Sequence, residues 1–310
     1  MPTILIGVGS ILGNRESILR EAVSSLGEVF DLISVSEWFT YPAVGGPDGQ
    51  QDFLNGAVLA KTSRPADEVR QILHRVEKQA GRERIVRWSS RTLDCDLLLY
   101  GSEKIWTPDL KVPHPRMVTR RFVLEPANEI ACDIVHPESG WTIGELFQHL
   151  KSTAPYFCIT GSERSRAAEL ANQVAAEAYC TLIPQLPLPT FANAHDGAGD
   201  DATTALEWSR LLQQQVTDES RSANDANRPI VGSNWDYEPW LVNPELPRAI
   251  EPRPGTIHPK LLIVLDDKLS EYGQRICNID EGVRIPTLFL SQNAQEALQD
   301  AVGAVLAMRM

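Results

Sequence analysis

No run of about 18 apolar residues occurs in this 310-residue chain, so no membrane-spanning helix is read from it. Nor does it open on a basic stretch followed by an apolar one, the pattern of a secretory leader. Cysteine is scarce and unpatterned. The five residues, Cys95, Cys132, Cys158, Cys180 and Cys277, show no CxxC or CxxH spacing, which excludes a disulfide framework or zinc ribbon and suits the reducing cytoplasm. Positive charge is also short: 29 Lys+Arg against 41 Asp+Glu leave a formal charge of −12. Phosphate attraction needs clustered excess positive charge, so a general nucleic-acid surface is excluded. The Gly-x-x-x-x-Gly-Lys-Ser/Thr loop that cradles nucleoside triphosphates occurs nowhere.

Against that acidic background stands one positive island. Arg82, Arg84, Arg87 and Arg91 precede a segment in which Leu93, Cys95 and Leu97 alternate with Asp94 and Asp96. Strands send successive side chains to opposite faces, so the two carboxylates share one face. Hard oxygen ligands so placed suit Mg²⁺ held jointly with substrate phosphates, and guanidinium forks match phosphate oxygens. Taken alone, the pair fits a solvated sheet face salt-bridged to neighbouring arginines at least as well.

The first hundred residues read β-α-β-β-α-β. Thr3 to Val8 is an apolar run ending in a glycine turn, and Ile18, Leu19, Ala22, Val23 and Leu26 recur with helical spacing. Leu32 to Tyr41 and Phe53 to Lys61 read as strands. Pro65 opens a helix through Val69, Ile72, Leu73 and Val76 that ends at Gly81. That order is the ferredoxin-like one, an α+β arrangement whose helices take one sheet face and leave the other for a site.

Arg91-Thr-Leu-Asp94-Cys-Asp96-Leu-Leu-Leu-Tyr-Gly101, with Gly81-Arg82-x-Arg84 and Trp88 before it, resembles the signature of 6-hydroxymethyl-7,8-dihydropterin pyrophosphokinase, a folate-pathway enzyme. Gly9-Ser10, Pro42-x-Val44-Gly45-Gly46, Phe53-x-Asn55, Val112-Pro113-His114-Pro115-Arg116-Met117 and Arg120-x-Phe122 extend the likeness over about residues 3 to 150. The resemblance implies transfer of pyrophosphate from ATP to the hydroxymethyl group of the pterin, with release of AMP. It implies two Mg²⁺ ions on Asp94 and Asp96, and Arg82 and Arg91 on the transferring and leaving groups. Glu77, Arg84, Trp88, His114 and Arg120 would serve the nucleotide. Pro42, Val44, Phe53, Asn55, Trp88, Asp94 and Phe122 would serve the pterin. On their own, His114 fits a surface or core histidine, and Phe53 and Phe122 fit core fillers. Departures from the family pattern are Ser89-Ser90 in the loop that must close, Tyr41 and Cys95. A non-catalytic pterin- or nucleotide-binding protein, or a scaffold acting through its second half, is the alternative.

The expected divisions are 1–160 for the pyrophosphokinase domain, 161–230 for a helix and low-complexity linker, and 231–310 for a small α/β segment. Lys260 to Asp266 and Thr287 to Ser291 read as buried strands, and Gln295 to Met308 as an amphipathic helix. This half faintly resembles a degenerate deoxynucleoside or nucleotide kinase fragment. Self-association through it stays open.

Overall fold

The computed structural model describes residues 1–42, 51–81, 92–188, 198–222, 228–233, 258–279 and 285–308. The chain divides into two compact units, Met1–Ser152 and Thr153–Arg309.

The first unit is built on an antiparallel sheet. Its strands are β1 (Thr3–Ser10), β2 (Asp31–Val35), β3 (Phe39–Tyr41), β4 (Phe53–Lys61) and β5 (Asp94–Tyr100). The spatial order is β2-β4-β1-β5, with β3 also pairing β4. This is the expected ferredoxin-like order. Helices α1 (Arg15–Gly27) and α2 (Ala66–Gln79) cover one face. There Ile4, Ile6, Val8, Val58, Ala60, Cys95 and Leu97 pack with Leu19, Leu26, Val69, Ile72 and Leu73 in one core. Asn14 starts α1 by accepting the Ser17 N–H at 3.2 Å, an N-cap that satisfies a donor the helix cannot. Gly81 ends α2 with φ +81°, a conformation that favours glycine.

Two features differ from expectation. Leu32 to Tyr41 is not one strand: the Ser36 hydroxyl accepts the Ala57 N–H at 2.9 Å. A side chain thus takes a ladder position, and the strand splits into β2 and β3. The second sheet face is also not fully open. After the hairpin β6 (Ile105–Trp106) and β7 (Lys111–Val112) comes α3 (Arg121–Ala131), which packs on β4 of that face, followed by α4 (Ile143–Ser152). Among the described residues, Asp94 and Asp96 lie half-buried at one end of this face.

The second unit holds a wholly parallel sheet in the order β12-β11-β8-β10-β9. The strands are β8 (Tyr156–Thr160), β9 (Thr181–Ile183), β10 (Ile230–Gly232), β11 (Leu261–Val264) and β12 (Thr287–Phe289). With them run α5 (Arg164–Glu177), α6 (Ala198–Ser222), α7 (Glu271–Ile279) and α8 (Ala294–Ala307). The boundary therefore falls after Ser152, not at 160. The described residues of 161–230, a stretch expected to include a low-complexity linker, hold α5, β9, α6 and the start of β10. On α6, Ala205, Trp208, Leu212 and Val216 are all buried, a stripe at helical spacing. No described helix is long and apolar enough to cross a membrane.

Candidate active site

Strand register assembles the site. Asn55 on β4 lies opposite Gly9 on β1, and Gly9 lies opposite Asp94 on β5. Directly paired residues share a face, so an amide and a carboxylate flank a position with no side chain. A Cβ built on Gly9 would come 2.7 Å from the Asn55 Oδ1, closer than such atoms approach. Gly9 is therefore the floor between them. One register step along, Asp96 faces Gly7. Asn55 is only 7% exposed, and its Nδ2 has no hydrogen-bond partner. A buried amide left so costs free energy unless something binds it.

Glu77 holds β5 from behind. It is 2% exposed on α2, and its Oε1 accepts the Cys95 N–H at 3.0 Å. That N–H lies on β5, the edge of the sheet among the described strands. Glu77→Ala should leave it unsatisfied and lower stability by about 1–3 kcal/mol, read as a fall in the urea midpoint.

Beyond β7, the Val112-Pro113 bond is cis, and His114 donates its N–H to the Leu98 oxygen at 2.9 Å. This docks the segment on β5. The His114 Nδ1 accepts the Arg116 N–H at 3.2 Å, so in the neutral ring the proton sits on Nε2. That nitrogen is 3.8 Å from the Asp96 Oδ2. The side chain keeps 20% exposure. Withdrawal from solvent, then the charges of Arg120 and Arg116, push its pKa down to about 3. His114 is thus a neutral donor beside Asp96, and among the described residues Arg120 brings a cation to that carboxylate, with Nη1 at 3.6 Å.

The unfolded chain binds this proton below its ordinary pKa of 6.5, whereas the fold refuses it until about pH 3. Its contribution to stability is complete above 6.5 and is lost as pH falls through that window. Replacing His114 by Gln should flatten the fall, seen in urea midpoints at pH 7, 5 and 4.

An aromatic cluster borders the acids. Phe53 lies two residues before Asn55 and opposite Tyr41 on β3, and the exposed Pro42 follows that strand. The Arg120 guanidinium stands 5.5 Å from the Phe122 ring centre, and the Tyr41 ring is 6.3 Å from Phe122. Tyr41 donates its hydroxyl to the Glu125 Oε2, which also accepts the Arg121 Nε–H at 3.0 Å. Burial, then the Glu125 carboxylate, raise the Tyr41 pKa. Burial pushes Glu125 upward, yet the bonds from Tyr41 and Arg121 hold it below its ordinary value.

The described residues thus bring Phe53, Asn55, Asp94, Asp96, His114, Arg120 and Phe122 to one end of one face. Glu77 is kept behind the sheet. Val44, Arg82, Arg84, Trp88 and Arg91 lie outside the described residues. Tyr41, Arg121 and Glu125 carry no catalytic pattern in the sequence, and only Tyr41 stands out there, as a departure.

The family model of 7,8-dihydro-6-hydroxymethylpterin-pyrophosphokinase (HPPK) matches residues 5–132. The 2-amino-4-hydroxy-6-hydroxymethyldihydropteridine pyrophosphokinase of Synechocystis sp. is 36% identical over 167 residues, covering 53% of this chain and 85% of that protein. The Bacillus subtilis protein of the same description is 43% identical over 136 residues, covering 43% and 80%. The bifunctional protein FolKE of Lactococcus lactis is 36% identical over 132 residues, with 38% of its length covered.

Proposed function

This chain belongs, through its first unit, to the 7,8-dihydro-6-hydroxymethylpterin-pyrophosphokinase family, and we propose that the cluster on the open end of its sheet performs that chemistry. The enzyme transfers pyrophosphate from ATP to 6-hydroxymethyl-7,8-dihydropterin in folate biosynthesis, yielding AMP and the pterin diphosphate. The observation that carries the assignment is the Asn55–Gly9–Asp94 row. A pterin is flat with a polar edge, and the unpartnered Asn55 amide meets such an edge. Gly9 leaves room beneath the ring.

Phe53 and Phe122 offer stacking faces, with backbone groups near Pro42 and Val44 completing the edge and Trp88 closing over it. Asp94 and Asp96 fit a divalent ion: both are carboxylates on one strand face, and together with substrate phosphates they supply hard oxygen ligands. They would hold two Mg²⁺, which supply charge neutralisation on the triphosphate and a more acidic attacking hydroxyl. Attack on the β-phosphorus forms the new O–P bond as the bond to the AMP oxygen breaks. Catalysis therefore rests on position and electrostatics. Arg82 and Arg91 would balance charge on the transferring and leaving groups. His114, Arg120 and Arg84 would contact the nucleotide, His114 as an N–H donor. Glu77 would act through β5, by holding the strand that bears the acids. The test is AMP release against Mg²⁺: chelation should stop turnover and added Mg²⁺ restore it, whereas turnover unaffected by chelation would remove the metal from the account.

The five cysteines form no disulfide among the described residues, which supports a cytoplasmic setting. For the second unit we infer a non-catalytic role, with self-association as its simplest form. Open α/β sheets take ligands at the carboxyl ends of strands where the order reverses, here beside β8. At that point Asp266, 5% exposed, accepts the Ser162 N–H at 2.8 Å and the Gln292 Nε2–H at 3.2 Å. The chain's own carboxylate thus occupies the start of α5, where such folds bind phosphate. Sedimentation of the full chain tests self-association: a monomer at all concentrations would overturn it.

A further inference from the structure

Tyr41 neighbours both aromatic groups assigned to the pterin, and by different means. It is the cross-strand partner of Phe53 in the β3–β4 pairing, and its ring lies 6.3 Å from that of Phe122 at an interplanar angle of 57°. Phe53 stands on a strand, whereas Phe122 stands at the start of α3. These two elements have separate backbones, so nothing in the sheet ladder fixes their spacing. Beside the packing of α3 on β4 and the Glu37 N–H donated to the Glu129 Oε2 at 3.1 Å, Tyr41 adds a link at the aromatic pair itself. Its ring is 8% exposed, and its hydroxyl is bonded to Glu125, one helical turn beyond Phe122 on the same helix. Arg121, on the first turn, holds the same carboxylate oxygen. Residues 84 positions apart in the chain are joined by this bond. Arg120, whose guanidinium lies over Phe122, continues the contact to Asp96.

We propose that Tyr41 is a positioning residue of the pterin site: clamped to α3 by Glu125 and Arg121, it sets the separation of the Phe53 and Phe122 rings and so the fit of the flat substrate. The inference rests on the functional reading above. A ring paired across the ladder with one wall and packed on the other bears on how closely they can close on a planar heterocycle. The hydroxyl–carboxylate bond ties α3 to β3 beside this pair. Stacking depends steeply on this separation, because dispersion falls off within an ångström of contact. The metal contacts lie on β5, and of the nucleotide contacts Arg120 adjoins Phe122 but is not a partner in the Tyr41–Glu125 bond that the variants alter.

Tyr41→Phe keeps the ring and deletes the bond to Glu125, and Glu125→Leu deletes it from the other side. Each should raise the pterin KM about five- to tenfold, within the net worth of one ordinary hydrogen bond. The ATP KM and kcat should stay within about twofold. Because both changes break one link, the double variant should be no worse than the poorer single variant. Direct binding, followed by pterin fluorescence without ATP, should weaken by the same factor. A lower melting temperature with pterin affinity unchanged would mean that the triad is merely structural and would overturn the proposal. Additive losses, or a matching rise in the ATP KM, would overturn it as well. Absence of pterin-dependent AMP in the unaltered chain would instead strike at the functional reading. Binding by the unaltered chain and the variants still decides the role of Tyr41 in that case.

Discussion

Asp96→Ala should reduce pterin-dependent AMP formation by about 10²- to 10³-fold, the range lost when a preorganised charge-stabilising group is removed, while the chain stays folded. The two halves of that expectation have separate grounds. Asp96 is on the open end of the sheet with 35% of its side chain exposed. Its charged neighbour Arg120 is 3.6 Å away, longer than a hydrogen bond, and exposed ion pairs contribute about 0–1 kcal/mol. Stability therefore has little to lose. Activity has much to lose, because the polyphosphate brings several negative charges to this face and the carboxylate is what would fix a divalent ion among them. Asp96→Asn keeps the shape and removes the charge, so it should fall nearly as far. Retained turnover in Asp96→Asn, with Asp96→Ala inactive, would make the side chain a spacer instead of an ion ligand. Rates under saturating Mg²⁺, measured beside urea midpoints, separate these outcomes.

Gly9→Ala is expected to damage the other substrate. The added methyl would sit 2.7 Å from the Asn55 Oδ1 and 3.9 Å from the Leu54 backbone oxygen. Asn55 is 7% exposed and has little room to turn aside, so the amide or the strand must shift. Overpacking of this kind costs about 1–3 kcal/mol. Displacement of the edge-reading amide should raise the pterin KM about tenfold or more, in keeping with the value of a buried hydrogen-bond pair. The ATP KM should move far less. A Gly9→Ala chain with unchanged pterin KM would remove Asn55 from the recognition of that edge.

Much of this site can be read from the sequence because it depends on local alternation. Asp94 and Asp96 at i, i+2 must share a face, and Cys95 and Leu97 between and beyond them must enter the core, where both are buried. The β-α-β-β-α-β order likewise follows from period-2 and period-3.6 patterns, each within a dozen residues. The row through Asn55, Gly9 and Asp94 does not, since register between distant strands decides which residues become neighbours. The break between β2 and β3 escaped for a similar reason. It arises from the Ser36 side chain reaching Ala57 across the sheet, which no propensity encodes. Helix α6 is hidden by its polar ends: only Leu206 to Val216 carries a helical signal, although the helix runs Ala198–Ser222. The Tyr41–Glu125–Arg121 clamp joins residues that have no common motif, and only packing brings them together.

The most direct test of the central claim is the identity of the product released from ATP by the unaltered chain with 6-hydroxymethyl-7,8-dihydropterin and Mg²⁺. The account predicts AMP and pterin diphosphate in equal amounts, and neither without the pterin. Release of ADP, or of AMP at a rate indifferent to the pterin, would contradict it.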